Sequence, residues 1–504
     1  MQFKVKPIGI EMGHNEIVLN EASAFELDLS IADRVKISFN SNSSTAMVDI
    51  SKSFVAKNEI GLFPSLMTEL GVKFADTVIL ERTSRPQSLE YIRKKLDGLV
   101  LSQQEISQII TDLMSQSLST TELAAFIAAV YTKGLSTDET AALTEAIISS
   151  GEIIVPPASP AVSEHSIGGV AGGRASMITV PILTSLGFCV PKTASRAISS
   201  ASATADVMEV FCPVALSVKK ISEVLKSAGG CIVWGGGVNI AAADDKLIQI
   251  RNPLHLDPQP LLVASILAKK KAEGSKYVVL DIPVGRGVKI DTVENGRALA
   301  RAFEIFAARL GIKILCTISD GSQPMCDELG PNLEAKQVLT VLMSKGKSGS
   351  PRLLQKSCEE AGVLIHMVRG VSMDEGYKIA LQQIESGRAY EAFKKIIAAQ
   401  GGNSQITPND IQVGQFKKSF YSNDEGTVSH IDNKAASRIL RGLGAPKDKS
   451  AGLVIKVHKG EHVVSGQEIF QIIATTQENL DLGSQAVDLG QPLIELTKVV
   501  FAIM

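Results

Sequence analysis

Between about residues 160 and 400, short apolar runs alternate with amphipathic stretches, and this alternation limits the fold more than any other feature of the chain. Gly230-Cys231-Ile232-Val233-Trp234, Tyr277-Val278-Val279-Leu280-Asp281 and Ile312-Lys313-Ile314-Leu315-Cys316 have strand length, whereas Ala298 to Leu310 has helical spacing. Strands that alternate with helices build a largely parallel sheet covered by helices. The loops at the C-terminal ends of its strands are where such a sheet gathers ligand groups.

The flanking regions read differently. Residues 1–84 alternate in short apolar and polar runs, such as Glu16-Ile17-Val18-Leu19, and predict a small β-rich domain. Residues 85–160 predict a helical domain, completed by part of the later chain. Three capping boxes begin its helices: Ser102 with Glu105, Ser119 with Glu122, and Ser136 with Glu139. Residues 161–410 hold the α/β domain, and residues 411–504 return to strands and turns as a C-terminal α+β domain. Lys459 beside Gly460 lies in a hairpin-like segment similar to a lipoyl carrier, but lacks the flanking hydrophobic pair such a carrier shows.

With 504 residues, 45% hydrophobic and 21% charged, and a formal net charge of -2, the chain has an ordinary globular composition and no basic surplus for nucleic acid. No run reaches the roughly 18 apolar residues of a membrane span, and Met1 to Lys6 opens no signal sequence. A cytoplasmic location is expected. The six cysteines are scattered and never paired as Cys-x-x-Cys, so they read as reduced core residues. The histidines form no metal-ligand spacing, and no metal is predicted.

Two loops carry the chemistry. The first is Glu164-His165-Ser166-Ile167-Gly168-Gly169-Val170-Ala171-Gly172-Gly173-Arg174; the second runs Ser195-Arg196-Ala197-Ile198-Ser199-Ser200 and on to Thr204. Small residues let backbone N–H groups approach an anion closely, and hydroxyls add donors. Glycines also serve tight turns, so the first loop alone says little. The second adds Arg196, whose planar fork fits a phosphate.

With these residues in view, the chain resembles the thymidine and pyrimidine-nucleoside phosphorylase family, and within it the archaeal AMP phosphorylase branch. The similarity covers essentially the whole sequence. It rests on Lys133-Gly134-Leu135-Ser136 with Glu139 and Leu143-Thr144, on His165-Ser166-Ile167-Gly168-Gly169-Val170, on Asp320-Gly321-Ser322-Gln323-Pro324, and on Gly444-Ala445-Pro446-Lys447-Asp448-Lys449-Ser450-Ala451-Gly452. Bacterial nucleoside enzymes of the family begin near residue 85 of this numbering and carry Ser-Gly-Arg-Gly-Leu-Gly-His-Thr-Gly-Gly-Thr where this chain has Ser195 to Thr204. Glu164 stands where those enzymes have a phosphate-binding Lys.

The resemblance implies that Gly169, Ser195, Arg196, Ala197, Ile198, Ser199, Ser200, Thr204, Ser265 and Lys289 bind substrate and that Asp257 donates a proton. His165, Ser166 and Lys269 are possible phosphate contacts, His165 equally a residue that only orients its loop. Asp257 also has a structural reading, as a cap on the helix that carries Ser265. Ser265 and Lys269 are four apart and share a helix face. The implied reaction converts AMP and phosphate to adenine and ribose 1,5-bisphosphate, extends to CMP and UMP, uses no cofactor, and feeds ribulose-bisphosphate carboxylase. A homodimer or higher homo-oligomer is implied.

A 5′-phosphate and orthophosphate bring about four negative charges, for which Arg196, Lys289, Lys192, Lys269 and Arg174 are the candidate cations. A carboxylic acid is ionised at neutral pH, so a carboxyl donor needs burial or an anionic neighbour. Three other readings stay open: a phosphorylase of unphosphorylated pyrimidine nucleosides, a magnesium-dependent phosphoribosyltransferase with Asp244-Asp245 or Asp327-Glu328 as its acidic pair, and a non-catalytic nucleotide-binding regulator.

Overall fold

The alternating N-terminal runs close into a barrel of six strands. β1 (Gln2–Pro7), β2 (Glu16–Asn20), β3 (Arg34–Phe39), β4 (Asn42–Ser51), β5 (Glu59–Leu62) and β6 (Thr77–Arg82) pair in the order β1-β5-β2-β4-β3-β6. Every second residue faces inward, so Phe3 and Val5, Ile17 and Leu19, and Val35 and Ile37 form its core. Two of the pairs, β1 with β5 and β2 with β4, are parallel, which a period of two does not reveal. The computed structural model describes residues 1–157, 160–197 and 200–497.

Helices follow at Ser88–Leu96, Gln103–Met114, Thr120–Lys133 and Thr137–Ser149. The last three open with complete capping boxes on Ser102, Ser119 and Ser136, as their spacing predicts. Glu139 does more than cap: buried, it pairs with Lys95 at 2.7 Å and accepts from the Leu101 backbone N–H at 2.9 Å. Residues Ala241–Ser265 join Met1–Gly151 in one unit, so the later piece that completes the helical region starts with the helix Ala242–Arg251.

Glu152–Ile240 and Ile266–Met504 make the second unit. Its parallel strands are β7 (Val162–Ser166), β8 (Val190–Ala194), β9 (Gly230–Trp234), β10 (Tyr277–Val284) and β11 (Lys313–Asp320). β10 lies between β11 and β7, β8 pairs with β9, and the Ala161–Cys189 bridge links β7 to β8, all in parallel. Val162, Val190, Ile232 and Val279 pack with Met177, Ile178 and Val180 of the helix Ser176–Ser185 and with Leu353, Ala361 and Leu364 of the helix Pro351–Arg369. Successive strand residues such as Val278, Val279 and Leu280 are all buried, which is why the strand sequences are almost continuously apolar. The C-terminal strands pair antiparallel in two small sheets, with the helices Asn433–Gly442 and Gln477–Val487 packed beside them.

All six cysteines are unbridged, and all but Cys316 are buried. Among the described residues no helix is long and apolar enough to cross a membrane.

Candidate active site

The first loop leaves β7 and turns through Gly168, Gly169 and Gly172, which have φ of 82°, 98° and 71°. Side chains other than glycine are strained in that region. Gly169 has a second constraint, because a Cβ there would lie 3.2 Å from Val288 Cβ and 3.4 Å from the Lys289 backbone nitrogen. Glycine therefore lets the loop lie directly against the turn that carries Lys289 after β10.

Ser166 anchors the loop to the sheet. Its hydroxyl donates to Asp281 Oδ2 at 2.8 Å and accepts from the Gly168 N–H at 3.3 Å. Asp281, buried on β10, also accepts from Ser319 at 2.6 Å and pairs with Lys356 at 2.7 Å.

His165 is half-buried, and its Nδ1, shielded from solvent, has no hydrogen-bond partner among the described residues. Burial first, and then the positive charges of Lys270, Lys192, Lys269 and Lys289, hold its imidazole well below the ordinary value of 6.5. It is thus a neutral ring amid cations. Lys270 pairs with Glu273 at 2.9 Å, both with no exposed side-chain surface. Burial lowers Lys270 to about 8 against the pull of Glu273.

Glu164, placed where bacterial relatives have lysine, points into the interior. Its carboxylate lies 3.1 Å from Lys192 Nζ and accepts from the Ser176 hydroxyl. Burial raises it, but Lys192 and Ser176 outweigh that and hold it below the usual carboxylate range. Glu360, also enclosed, is pushed well above that range by burial and by the charges of Glu164 and Asp281. The two enclosed carboxyls are thus shifted in opposite directions.

The second loop leaves β8. Ser195 O accepts from the Ala205 N–H at 3.3 Å, and the Ala197 N–H donates to Asp206 Oδ2 at 2.8 Å. Thr204 begins the short helix Thr204–Met208. Ser200 Oγ donates to Ser202 O at 3.0 Å, while Ile198 and Ser199 lie outside the described residues. Arg196 stacks over Trp234, at the end of β9, with its guanidinium carbon 4.9 Å from the ring centroid. It donates to Glu209 through Nη1 at 2.9 Å and Nη2 at 2.5 Å, which leaves its Nε edge outside that fork.

Of the other candidate cations, Arg174 faces inward, with Nε 2.6 Å from Glu334 and Nη2 donating to Ser202 Oγ at 2.8 Å. Its fork holds the two loops to the interior.

In the first unit Asp257 Oδ1 accepts from Arg251 Nη1 at 2.7 Å, and Ser265 Oγ donates to buried Asp244 at 2.7 Å. Ser265 and Lys269 lie one turn apart on the helix Gln259–Ala272. In the pair with Arg251, Asp257 is the hydrogen-bond acceptor.

Reasoning from the sequence misses Arg251, Asp206, Glu209, Asp281 and Lys356. These carboxylates and cations sit in ordinary helices or strands, or in Glu209's case just past a helix end, and gain meaning only from the residues they meet. Trp234 carried a signal, being the only Trp, at the end of a predicted strand.

A helical bundle and a parallel α/β layer, with glycine- and hydroxyl-rich loops at its strand ends, are the parts of the glycosyl transferase family. Residues 89–151 match the helical bundle domain of the glycosyl transferase family, and residues 158–390 match its a/b domain. The chain belongs, more narrowly, to the AMP phosphorylase family. It is 40% identical over 494 residues to AMP phosphorylase 1 of Archaeoglobus fulgidus, covering 98% of this chain and 97% of that one. The AMP phosphorylase of Methanococcoides burtonii is 38% identical and that of Methanosarcina barkeri 40%, with the same coverage.

Among solved structures, anthranilate phosphoribosyltransferase from Thermus thermophilus is similar with a TM-score of 0.52 at 19% identity, covering 61% of this chain and 98% of that one. The Saccharomyces cerevisiae enzyme, in complex with PRPP and Mg, has a TM-score of 0.51 at 15% identity, covering 63% and 98%. Such distant likeness speaks for the fold alone.

Proposed function

We propose that the protein is an AMP phosphorylase that converts AMP and orthophosphate to adenine and ribose 1,5-bisphosphate. A phosphate oxygen forms a bond to C1′ as the C1′–N bond breaks, the bonding electrons leave with the base, and a proton goes to a ring nitrogen. The observation that carries this reading is His165, beside the Gly168-Gly169 turn, in the field of Lys269 and Lys289, with Lys192 and Lys270 paired to Glu164 and Glu273 behind it. Positive charge faces a glycine turn there, as a reaction of two phosphates requires.

In this reading Gly169, Lys289, His165, Ser166 and Lys269 meet phosphate groups, and Arg196 offers its Nε edge within the Ser195–Thr204 loop, where Ala197, Ser200 and the undescribed Ile198 and Ser199 also lie. Asp257 serves as proton donor and Ser265 as a substrate contact. CMP and UMP are further substrates, phosphate is a co-substrate rather than a cofactor, and the enzyme works in the cytoplasm as a homo-oligomer.

Release of free base tests the proposal. With phosphate present, AMP should be cleaved at least about 100-fold faster per enzyme than adenosine, as two or more charge-assisted contacts to a 5′-phosphate imply. Equal rates on adenosine, or faster cleavage of uridine or thymidine, would return the protein to the nucleoside phosphorylases.

A further inference from the structure

The loops after β7 and β11 meet at one side chain of the C-terminal module, and the turn after β10 lies against the same dipeptide. Asn433 opens the helix Asn433–Gly442 and is 2% exposed. Its Oδ1 accepts from the Ala171 N–H at 2.9 Å, in the glycine-rich loop, and its Nδ2 donates to Gly321 O at 2.9 Å, in the loop after β11. A Cβ on Gly287 would lie 3.5 Å from Asp432 Oδ2 and 3.9 Å from the Asn433 backbone nitrogen, so the turn that carries Lys289 rests on the same dipeptide.

The three loops also fit one another through Val288. Its side chain would lie 3.2 Å from a Cβ on Gly169 and 3.0 Å from one on Gly321, so glycine at both positions lets Val288 fill the space between them. The Asn433 end of this junction is held firmly. The Asp432 N–H donates to Leu493 O at 2.8 Å, and Asp432 Oδ1 accepts from the Ala435 N–H at 2.6 Å. Arg286 adds a second tie from the Lys289 turn, donating to Glu495 at 2.6 and 2.7 Å.

We propose that Asn433 is a positioning residue for phosphate and nucleotide, setting the glycine-rich loop, the Lys289 turn and the Asp320-Gly321 loop in one register. The inference rests on the reading that these loops bind the two anions. Asparagine suits the place because one amide supplies both an acceptor and a donor, and the two backbone groups it joins are of opposite kind. Aspartate keeps the first bond and sets an acceptor against the Gly321 carbonyl; alanine loses both.

Steady-state kinetics of full-length Asn433→Ala and Asn433→Asp, with amide hydrogen exchange over residues 168–173 and 286–289, test this. Two lost hydrogen bonds correspond to about a tenfold rise in KM for phosphate, and kcat should fall no more than about threefold. A residue that only stabilises the fold would lower the active fraction, and with it kcat, at unchanged KM. With no ligand present, exchange should quicken in both segments in Asn433→Ala and, in Asn433→Asp, which keeps the Ala171 bond, over residues 286–289. If AMP is not cleaved by the wild-type protein, the functional reading fails while exchange still decides the role of Asn433. Unchanged exchange in the two segments, or unchanged KM in variants of an active enzyme, overturns the proposal; if Asn433→Ala does not fold, Asn433→Asp alone decides.

Discussion

Glu209 grips Arg196 by both ends of the guanidinium, at 2.5 and 2.9 Å, and is gripped in turn by Lys449 at 2.8 Å. The Nε edge left outside that fork is thereby aimed by a carboxylate, with Trp234 beneath the guanidinium. Lys449 belongs to the Gly444–Gly452 stretch that marks the family resemblance, so the stretch acquires a physical role.

Removal of that grip should loosen Arg196 without removing it. Glu209→Gln keeps the shape and loses the charge, and the KM for AMP is expected to rise about tenfold while kcat stays within about threefold. A lower KM in this variant would mean that Glu209 competes with substrate for Arg196 rather than aiming it.

The same pair makes stability depend on acid. The Arg196 hydrogen bond, with Lys449 behind it, lowers the Glu209 carboxyl from its ordinary 4.5 to about 2. A depressed folded-state value adds stability that is complete above about 4.5 and disappears as pH falls toward about 2. In urea unfolding between those limits, Glu209→Gln should lose stability less steeply than the wild type, by up to about one proton. Identical slopes would show that solvent screens the pair at this partly exposed site.

Neutral His165 leads to a different pH signature. With burial and four lysine charges holding the ring below 6.5, kcat/KM should show no step near that value. His165→Gln, which keeps a hydrogen-bonding group, should lower activity at least about tenfold without changing the shape of the profile. An acid limb near pH 6.5 that vanishes in the variant would mean the imidazole is charged in the free enzyme.

Proton donation can be separated from binding at Asp257. Asp257→Asn should retain AMP by calorimetric titration and lose turnover by about 100-fold or more, the usual scale for a general acid. Because Arg251 pairs with Asp257 at 2.7 Å, Arg251→Gln should alter turnover too, whereas a mere helix cap would leave both rates near wild type.

How far the sequence alone reaches can be seen in these residues. The period-two runs of the N-terminal strands and the Ser-x-x-Glu boxes are local signals, and local structure follows them. The glycine-rich loop is readable because its backbone conformation and the close approach of Val288 and Lys289 both favour glycine at Gly169. Asp281, Lys356 and Asn433 were not readable, since each joins segments distant in the chain, as Asn433 does for Ala171 and Gly321. Arg174 and Lys192 looked like phosphate ligands in a charge inventory. Their buried partners Glu334 and Glu164 are invisible to any count of cations.

The most direct measurement is a crystal structure of the full-length protein with AMP and sulfate, the sulfate standing in for orthophosphate. One anion should lie against the Gly168-Gly169 turn within reach of His165 or Lys289, with a second held in the Ser195–Thr204 loop by Arg196. Both anions found elsewhere, with Arg196 and Lys289 in contact with neither, would contradict the site described for this chain.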